Sequence, residues 1–173
     1  MQWKPFQHGT EVYDLAHLHP CTLHFEQAAQ DKKPAITFTV DVTFSTHCFT
    51  RGLPEDDVYD RAFIYRDARE TRLFDIRRYE LSKQLPAILA GLQKQKCMHT
   101  GHGNFFTVAL VDENGQSADY DIFFTASKSS TRGRVNLFIQ SAFVREKDKL
   151  PPSRPIRFDI ILYNTLNGRP IRD

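Results

Sequence analysis

The chain has 173 residues, of which 40% are hydrophobic and 25% charged, and its formal net charge is +2. This composition is typical of one globular domain, and so small a net charge gives no argument for nucleic-acid binding by itself. No window approaches the ~20 apolar residues of a membrane span, and no basic and then apolar start resembles a signal peptide. Three cysteines, an odd number, favour reduced thiols in the cytoplasm over a disulfide framework. We therefore predict a single cytoplasmic domain over residues 1–173.

The first part of the chain lacks a clean hydrophobic period. Residues 1–35 are predicted to form an irregular segment that wraps around the domain. We expect short helices in it near Tyr13–Leu18 and Phe25–Gln30. A turn then leads into the first long strand.

The most informative stretch is Ile36–Arg51, in which apolar and polar residues alternate. Such alternation predicts a strand with one buried face and one solvent-facing side. On this pattern Ser45, His47 and Arg51 share the polar face, whereas Cys48 points into the core. We predict that this strand is the centre of the fold and of any chemistry.

The remaining elements follow from local hydrophobic patterns. Two short apolar runs around Asp67–Glu70 predict a hairpin over residues 61–76. Leucine and isoleucine residues at helical spacing predict the principal helix over residues 82–95. Four strands are predicted after it, at residues 104–111, 119–125, 134–144 and 156–163. Short polar connections favour antiparallel neighbours, so the fold class is α+β: a mostly antiparallel twisted sheet with one principal helix on one face.

Histidine and cysteine residues fall into three groups that admit more than one interpretation. The groups are His17, His19, Cys21 and His24; His47 and Cys48; and Cys97, His99 and His102. These residue types suit zinc, which makes a zinc-stabilised regulatory domain one alternative, although the spacings match no zinc module well. A cysteine nucleophile is a second, because nearby lysines could lower the pKa of Cys97. Our leading assignment contains no metal and no cofactor.

Metal-free acid–base chemistry is the third interpretation. Ribonucleases that use the RNA 2′-hydroxyl as nucleophile need a base, an acid and a cation over the phosphate. His47 is the predicted base or acid, with Ser45 beside it on the strand. His99 or His102 would supply the second proton site, and Arg51 would hold a phosphate.

Arginine and tyrosine residues alternate irregularly between residues 59 and 79, as a surface for single-stranded nucleic acid requires. Arg66, Arg72 and Arg77 are predicted to line the approach to Arg51. The same charges could also protect a solvated sheet edge, and neighbouring carboxylates could neutralise them. We expect RNA or another single-stranded nucleic acid as partner, and no membrane.

The run V-N-L-F-I-Q-S-A-F-V-R at Val135–Arg145 resembles a late strand of small bacterial and prophage proteins, some of them called stationary-phase growth adaptation proteins. The order of the predicted helix and the N-F-F, D-Y-D-I-F-F and L-F-I-Q-S-A-F strands is similar to the barnase–EndoU–colicin–RelE-like fold group. This resemblance covers about residues 80–165. That group contains toxin-type ribonucleases, so the resemblance implies a helix packed on a four-strand meander, and it assigns no catalytic residue.

The leading hypothesis is an RNA-acting protein, a toxin-like endoribonuclease that uses histidine acid–base chemistry and arginine–phosphate contacts. A protein partner such as an inhibitor or antitoxin would accompany such a toxin. The alternative is a non-catalytic module that uses the same sheet face to bind a protein or a nucleic acid.

Overall fold

The computed structural model describes residues 2–29, 34–56, 58–100, 103–111, 117–145 and 152–171. Strands and helices alternate irregularly along the chain. The strands are β1 (Phe6–His8), β2 (Glu11–Tyr13), β3 (Cys21–Gln27), β4 (Ile36–Phe44), β5 (Thr50–Arg51), β6 (Ile64–Arg66), β7 (Thr71–Phe74), β8 (Cys97–His99), β9 (Asn104–Val111), β10 (Ser117–Lys128), β11 (Arg134–Val144) and β12 (Arg154–Ile156). The α-helices are α1 (Ile76–Ser82), α2 (Leu85–Ala90) and α3 (Phe158–Leu166). Short 3-10 helices lie at Ala16–Leu18, Thr46–Cys48, Arg61–Phe63 and Leu92–Lys94.

A seven-stranded sheet organises the fold, in the order β12-β8-β9-β10-β11-β4-β3. Its neighbouring strands are antiparallel, except that β11 and β4 run parallel. The strands β5, β7 and β6 form a second, three-stranded sheet, and β1 pairs with β2. The predicted α+β class with a mostly antiparallel sheet is therefore confirmed. Among the described residues, none of the helices has the length and hydropathy needed to cross a bilayer.

The core lies on one face of the seven-stranded sheet. In β4 the even-numbered residues from Phe38 to Phe44 are buried, as the alternation predicts. The register sets Val40 beside Val135 of β11, so the apolar layer continues across the sheet. Helix α3 packs on this face through Phe158, whose ring meets Phe25 of β3 edge-on at 5.0 Å.

The opposite face, which we call the open face, carries the odd-numbered side chains of β4 and those level with them. Thr43, Phe123, Phe138 and Phe143 on this face are half-buried. The rings of Phe123 and Phe143 stack with centroids 5.7 Å apart. The open face is therefore aromatic and polar at once.

The predicted strand over residues 36–51 is too long: β4 ends at Phe44. The Ser45 hydroxyl accepts a hydrogen bond from the His47 backbone N–H at 2.9 Å, which starts the 3-10 turn Thr46–Cys48. A serine side chain that bonds to nearby backbone competes with strand pairing. Arg51 then lies in β5 of the second sheet, so the predicted common polar face of Ser45, His47 and Arg51 is wrong.

Other boundaries also differ. The predicted strand at 156–163 is helix α3, because an apolar run this short has no period that separates strand from helix. In the predicted helix near Phe25–Gln30, the first three residues belong instead to strand β3, which pairs with β4, and Gln30 lies outside the described residues. The principal helix begins at Ile76, where Asp75 caps it by accepting from the Arg78 N–H at 2.9 Å. Pro86 has no N–H to continue that helix, so α2 follows as a separate segment.

His17 ties the N-terminal segment to α1. Its Nε2 atom lies 2.8 Å from the Ser82 hydroxyl, which itself donates to the Tyr79 carbonyl at 2.7 Å. Because the Ser82 proton is already used, His17 Nε2–H is the donor of that bond. Burial lowers the pKa of His17 from its ordinary value of 6.5.

We expect His17→Gln to change how stability depends on pH. Because the folded-state pKa of His17 lies below 6.5, the unfolded chain binds more protons there, and stability falls as pH drops below about 6.5. Glutamine keeps a donor for Ser82 and does not titrate. Urea unfolding between about pH 7.5 and pH 5 should therefore show a smaller loss of stability for the variant than for the wild type. Equal losses in the two proteins would contradict this role of His17.

Candidate functional site

A groove of about 790 Å³ opens on the open face, at the carboxyl end of β4. Phe123 and Phe138 contribute aromatic lining, and Gln140 of β11 adds a polar side chain. The 3-10 turn after β4 and the hairpin turn at 67–70 of the second sheet meet along one side. We call this feature the aromatic groove.

His47 and Glu70 form a pair on that side. His47 Nε2 lies 3.3 Å from Glu70 Oε2, and the two side chains are 41% and 35% exposed. Since the carboxylate is an acceptor only, the imidazole donates this bond and its tautomer is fixed. His47 Nδ1 is thereby left as the acceptor nitrogen.

Glu70 is held in place by further donors. The Thr46 hydroxyl donates to its other carboxylate oxygen, and Arg72 donates to Oε2 at 3.4 Å. Burial raises the pKa of Glu70, but the hydrogen bonds from Thr46 and His47 outweigh burial and leave that pKa below its ordinary value. The carboxylate is therefore ionised at neutral pH.

Arg72 and Arg78 fix the backbone that carries His47. Arg72 Nε donates to the Thr50 hydroxyl at 2.7 Å, and that hydroxyl donates to the Thr46 carbonyl at 2.8 Å. Arg78 donates to the His47 and Thr50 carbonyls at 3.2 and 2.8 Å. Its guanidinium also lies 5.3 Å from the Phe143 ring centroid. These hydrogen bonds thus hold in place the turn that carries His47.

Ser45, a predicted catalytic residue, has a structural use. Its hydroxyl donates to the Gln140 carbonyl at 2.8 Å and accepts from the His47 N–H. The hydroxyl proton is therefore engaged in joining β11 to the turn. Ser45 positions His47 and is not set to act as a nucleophile.

One of the two predicted second proton sites, His99, is not brought to His47. His99 lies in β8, hydrogen-bonded through Nδ1 to Asn104 Oδ1 at 2.9 Å. The register aligns His99 with Phe44 across four strand spacings, roughly 19 Å at ~4.8 Å each. His102, the other candidate, lies outside the described residues.

The predicted phosphate-binding arginines are also dispersed. Arg51 lies 4.0 Å from Asp75 and lines a different cavity with Tyr59. Arg66 and Arg77 are exposed on β6 and α1 and do not line the aromatic groove. Arg72 acts on the site through Glu70 and Thr50 and does not line the aromatic groove. Among the described residues, the arginine that lines the aromatic groove is the exposed Arg69, which belongs to the predicted basic surface between residues 59 and 79.

The cysteine alternative is contradicted. Burial raises the pKa of both Cys48 and Cys97 to about 12, so the predicted lowering at Cys97 is wrong. A thiol with so high a pKa is inert as a nucleophile at neutral pH. Cys48 is the core residue that the alternation predicts.

Within the described ranges no group of three or more histidine, cysteine, aspartate or glutamate side chains could hold a metal ion. The histidines of the first group bond elsewhere: His19 to the Trp3 carbonyl at 3.2 Å and His24 to the Thr39 hydroxyl at 3.4 Å. The zinc-stabilised alternative therefore has no ligand cluster in this part of the chain.

Comparison with known proteins gives a family match. The sequence model of the YjaZ family matches residues 5–166. Protein YjaZ of Escherichia coli (strain K12) is 26% identical over 172 residues, which cover 97% of this chain and 93% of that protein. No solved structure matches. The aromatic groove and the core residues beneath it fall within the matched range, apart from Trp3.

Proposed function

We propose that this chain, which belongs to the YjaZ family, acts on single-stranded RNA as a metal-independent endoribonuclease. The observation that carries the proposal is the His47–Glu70 pair at the side of the aromatic groove. A tethered imidazole with one nitrogen left as acceptor is a general base, and histidine titrates near neutral pH. The aromatic groove supplies groups that can bind the RNA beside this base.

The lining of the groove fits a nucleotide. The half-buried ring of Phe138 offers a face on which a base can stack, and stacking of this kind tolerates any base. The Phe123 ring beside it is stacked between Phe105 and Phe143 and adds apolar lining. Gln140 and Ser141 provide hydrogen-bonding groups beside them for the edge of a base. The exposed guanidinium of Arg69 can bind a phosphate.

The proposed reaction is an internal transesterification. The RNA 2′-oxygen attacks the adjacent phosphorus, the P–O5′ bond breaks, and the products are a 2′,3′-cyclic phosphate and a 5′-hydroxyl. His47 Nδ1 takes the proton from the 2′-hydroxyl while Glu70 stabilises the imidazolium that forms. Water in the open groove gives the departing 5′-oxygen its proton. His99 has no role, because it lies too far away.

One observation favours the non-catalytic alternative. Two arginines of the open face are already ion-paired: Arg134 lies 3.1 Å from Asp41, and Arg145 lies 2.6 Å from Asp121. The face therefore has little unbalanced positive charge, which suits a protein partner better than a phosphate backbone. The second candidate function is a protein-binding module that uses the open face.

The cytoplasmic location and the inhibitor or antitoxin partner are also proposals. The free thiol of Cys21 is exposed, which suits a reducing compartment and supports a cytoplasmic location. A toxin-like ribonuclease would need an inhibitor or antitoxin to cover its groove.

The test is to incubate the purified protein with single-stranded RNA in EDTA and to analyse the ends of the fragments. We expect RNA fragments that end in cyclic phosphate, and no cleavage of DNA of the same sequence, because DNA lacks the 2′-hydroxyl. Binding of the RNA without cleavage would contradict the catalytic proposal and support a binding function. Absence of both binding and cleavage would overturn the proposal.

A further inference from the structure

A second groove lies where the two edges of the large sheet meet. The edge strands β3 and β12 both line a cavity of about 680 Å³, through Gln27 and Ile156 among others. The sheet therefore curves until its edges face one another. A smaller cavity of about 240 Å³ shares Gln27 and Arg157 with it. We call the combined feature the edge groove, and it is separate from the aromatic groove.

The edge of β3 has backbone groups that point into this region. The Gln93 side-chain amide donates to the Glu26 carbonyl at 2.9 Å, so this carbonyl points away from β4. In an antiparallel strand every second residue presents its N–H and C=O to the same side. The backbone N–H and C=O groups of Thr22 and His24 therefore also point away from β4. The Gln93 amide thus donates to a carbonyl that would accept a backbone N–H if another strand were added to this edge.

Apolar side chains form part of the edge groove. Ile36 and Ile156 line it, and at its far end Ile160 and Tyr163 are 39% and 37% exposed. Isolated aliphatic pockets next to a free strand edge take alternate side chains of an extended peptide. Stacked bases would need aromatic faces, which the aromatic groove offers and this one, apart from a single tyrosine, does not.

The charge of the edge groove is positive on one side. Lys94 and Lys96 are exposed along its lining. Arg157 lies 3.0 Å from Asp159, so those two largely cancel each other. Glu26 is the other carboxylate in the lining, which leaves the lysines in excess.

We propose that the edge groove binds an extended, acidic peptide segment of another protein, which pairs with the outer edge of β3. Its backbone meets the outward N–H and C=O groups of β3 and displaces the Gln93 side-chain amide from the Glu26 carbonyl. Its apolar side chains enter the aliphatic pockets near Ile156 and Ile160, and its carboxylates face Lys94 and Lys96.

The probe is a short fluorescein-labelled peptide of alternating valine and glutamate, titrated with the full-length protein by fluorescence anisotropy. We expect saturable binding that weakens about tenfold or more in the K94E/K96E double variant, because two attractive charge contacts become repulsive. Both lysines are exposed, so the variant should fold. The same peptide with alternate backbone N-methyl groups should not bind, because it cannot pair with a strand edge.

Ile160→Glu should also weaken binding by repelling the peptide. Ile76→Glu is its matched control, since Ile76 is similarly exposed, at 43%, and does not line the edge groove. No saturable binding, equal binding of the methylated peptide or an unchanged K94E/K96E affinity would overturn the proposal. Displacement of the peptide by oligouridine, or self-association that K94E/K96E abolishes, would instead assign the edge groove to nucleic acid or to a second copy of the chain.

Discussion

Replacing Asp121 with alanine is expected to lower the free energy of unfolding by about 3 kcal/mol or more, because it breaks a buried ion pair with two hydrogen bonds to the Arg145 guanidinium. Asp121 is 2% exposed and lies on the open face of β10. Arg145 donates to both of its oxygens, at 2.6 and 2.8 Å, and also to the Thr107 hydroxyl at 2.9 Å. Thr107 in turn donates to Asp121 at 2.7 Å. The network joins β9, β10 and the end of β11.

Asp119→Ala is the matched control. Asp119 accepts from the same arginine at 2.9 Å, but its side chain is 53% exposed. Exposed ion pairs contribute about 0–1 kcal/mol, so this variant should lose little stability. Urea denaturation of both variants at neutral pH measures the difference. Similar losses in the two proteins would show that burial does not set the strength of this network.

The sheet could be predicted from sequence because its signals are local. The alternation in β4 places Phe38, Val40 and Val42 in the core, and the structure confirms each. The hairpin around Asp67–Glu70 is likewise present, as β6 pairs with β7. In these cases the hydrophobic period and the turn residues point to the same structure, so no long-range information is needed.

The end of β4 could not be predicted from the same pattern. Polar and apolar residues continue to alternate past Ser45, but a hydroxyl bonded to backbone two residues later starts a turn instead. That choice depends on the Ile139 carbonyl of β11, which accepts from the Ser45 N–H at 2.9 Å. This contact is made to a strand that is distant in sequence, so the hydrophobic periodicity around Ser45 cannot predict it.

The partner of His47 was missed for a related reason. Glu70 belongs to a hairpin turn, where an acidic residue has an ordinary structural explanation. It reaches His47 because β5 continues the chain after the 3-10 turn and pairs with β7, the strand that follows Glu70. The sequence did indicate the imidazole as the chemical group of interest. Its environment was set by the packing of the small sheet against the large one.

The largest effect on activity is expected for His47→Gln, which should lower the rate of RNA cleavage by about two to four orders of magnitude. Glutamine keeps a donor for Glu70 and cannot exchange a proton. RNA affinity should change little, since Phe138 and Arg69 remain in the aromatic groove. Single-turnover cleavage and anisotropy binding on the same RNA separate the two quantities. His24→Gln, on the edge strand β3, is the control and should cleave at the wild-type rate.

Two further variants distinguish a chemical role of His47 from a structural one. His47→Ala should be rescued in part by added imidazole, which restores the missing base and would not repair a misfolded turn. Glu70→Gln should reduce cleavage by about tenfold, because its neutral amide stabilises the imidazolium less than the ionised carboxylate does. Undiminished cleavage by His47→Gln would exclude His47 as the base. Loss of activity without imidazole rescue, together with lost RNA binding, would show that the His47–Glu70 pair shapes the groove and takes no part in proton transfer.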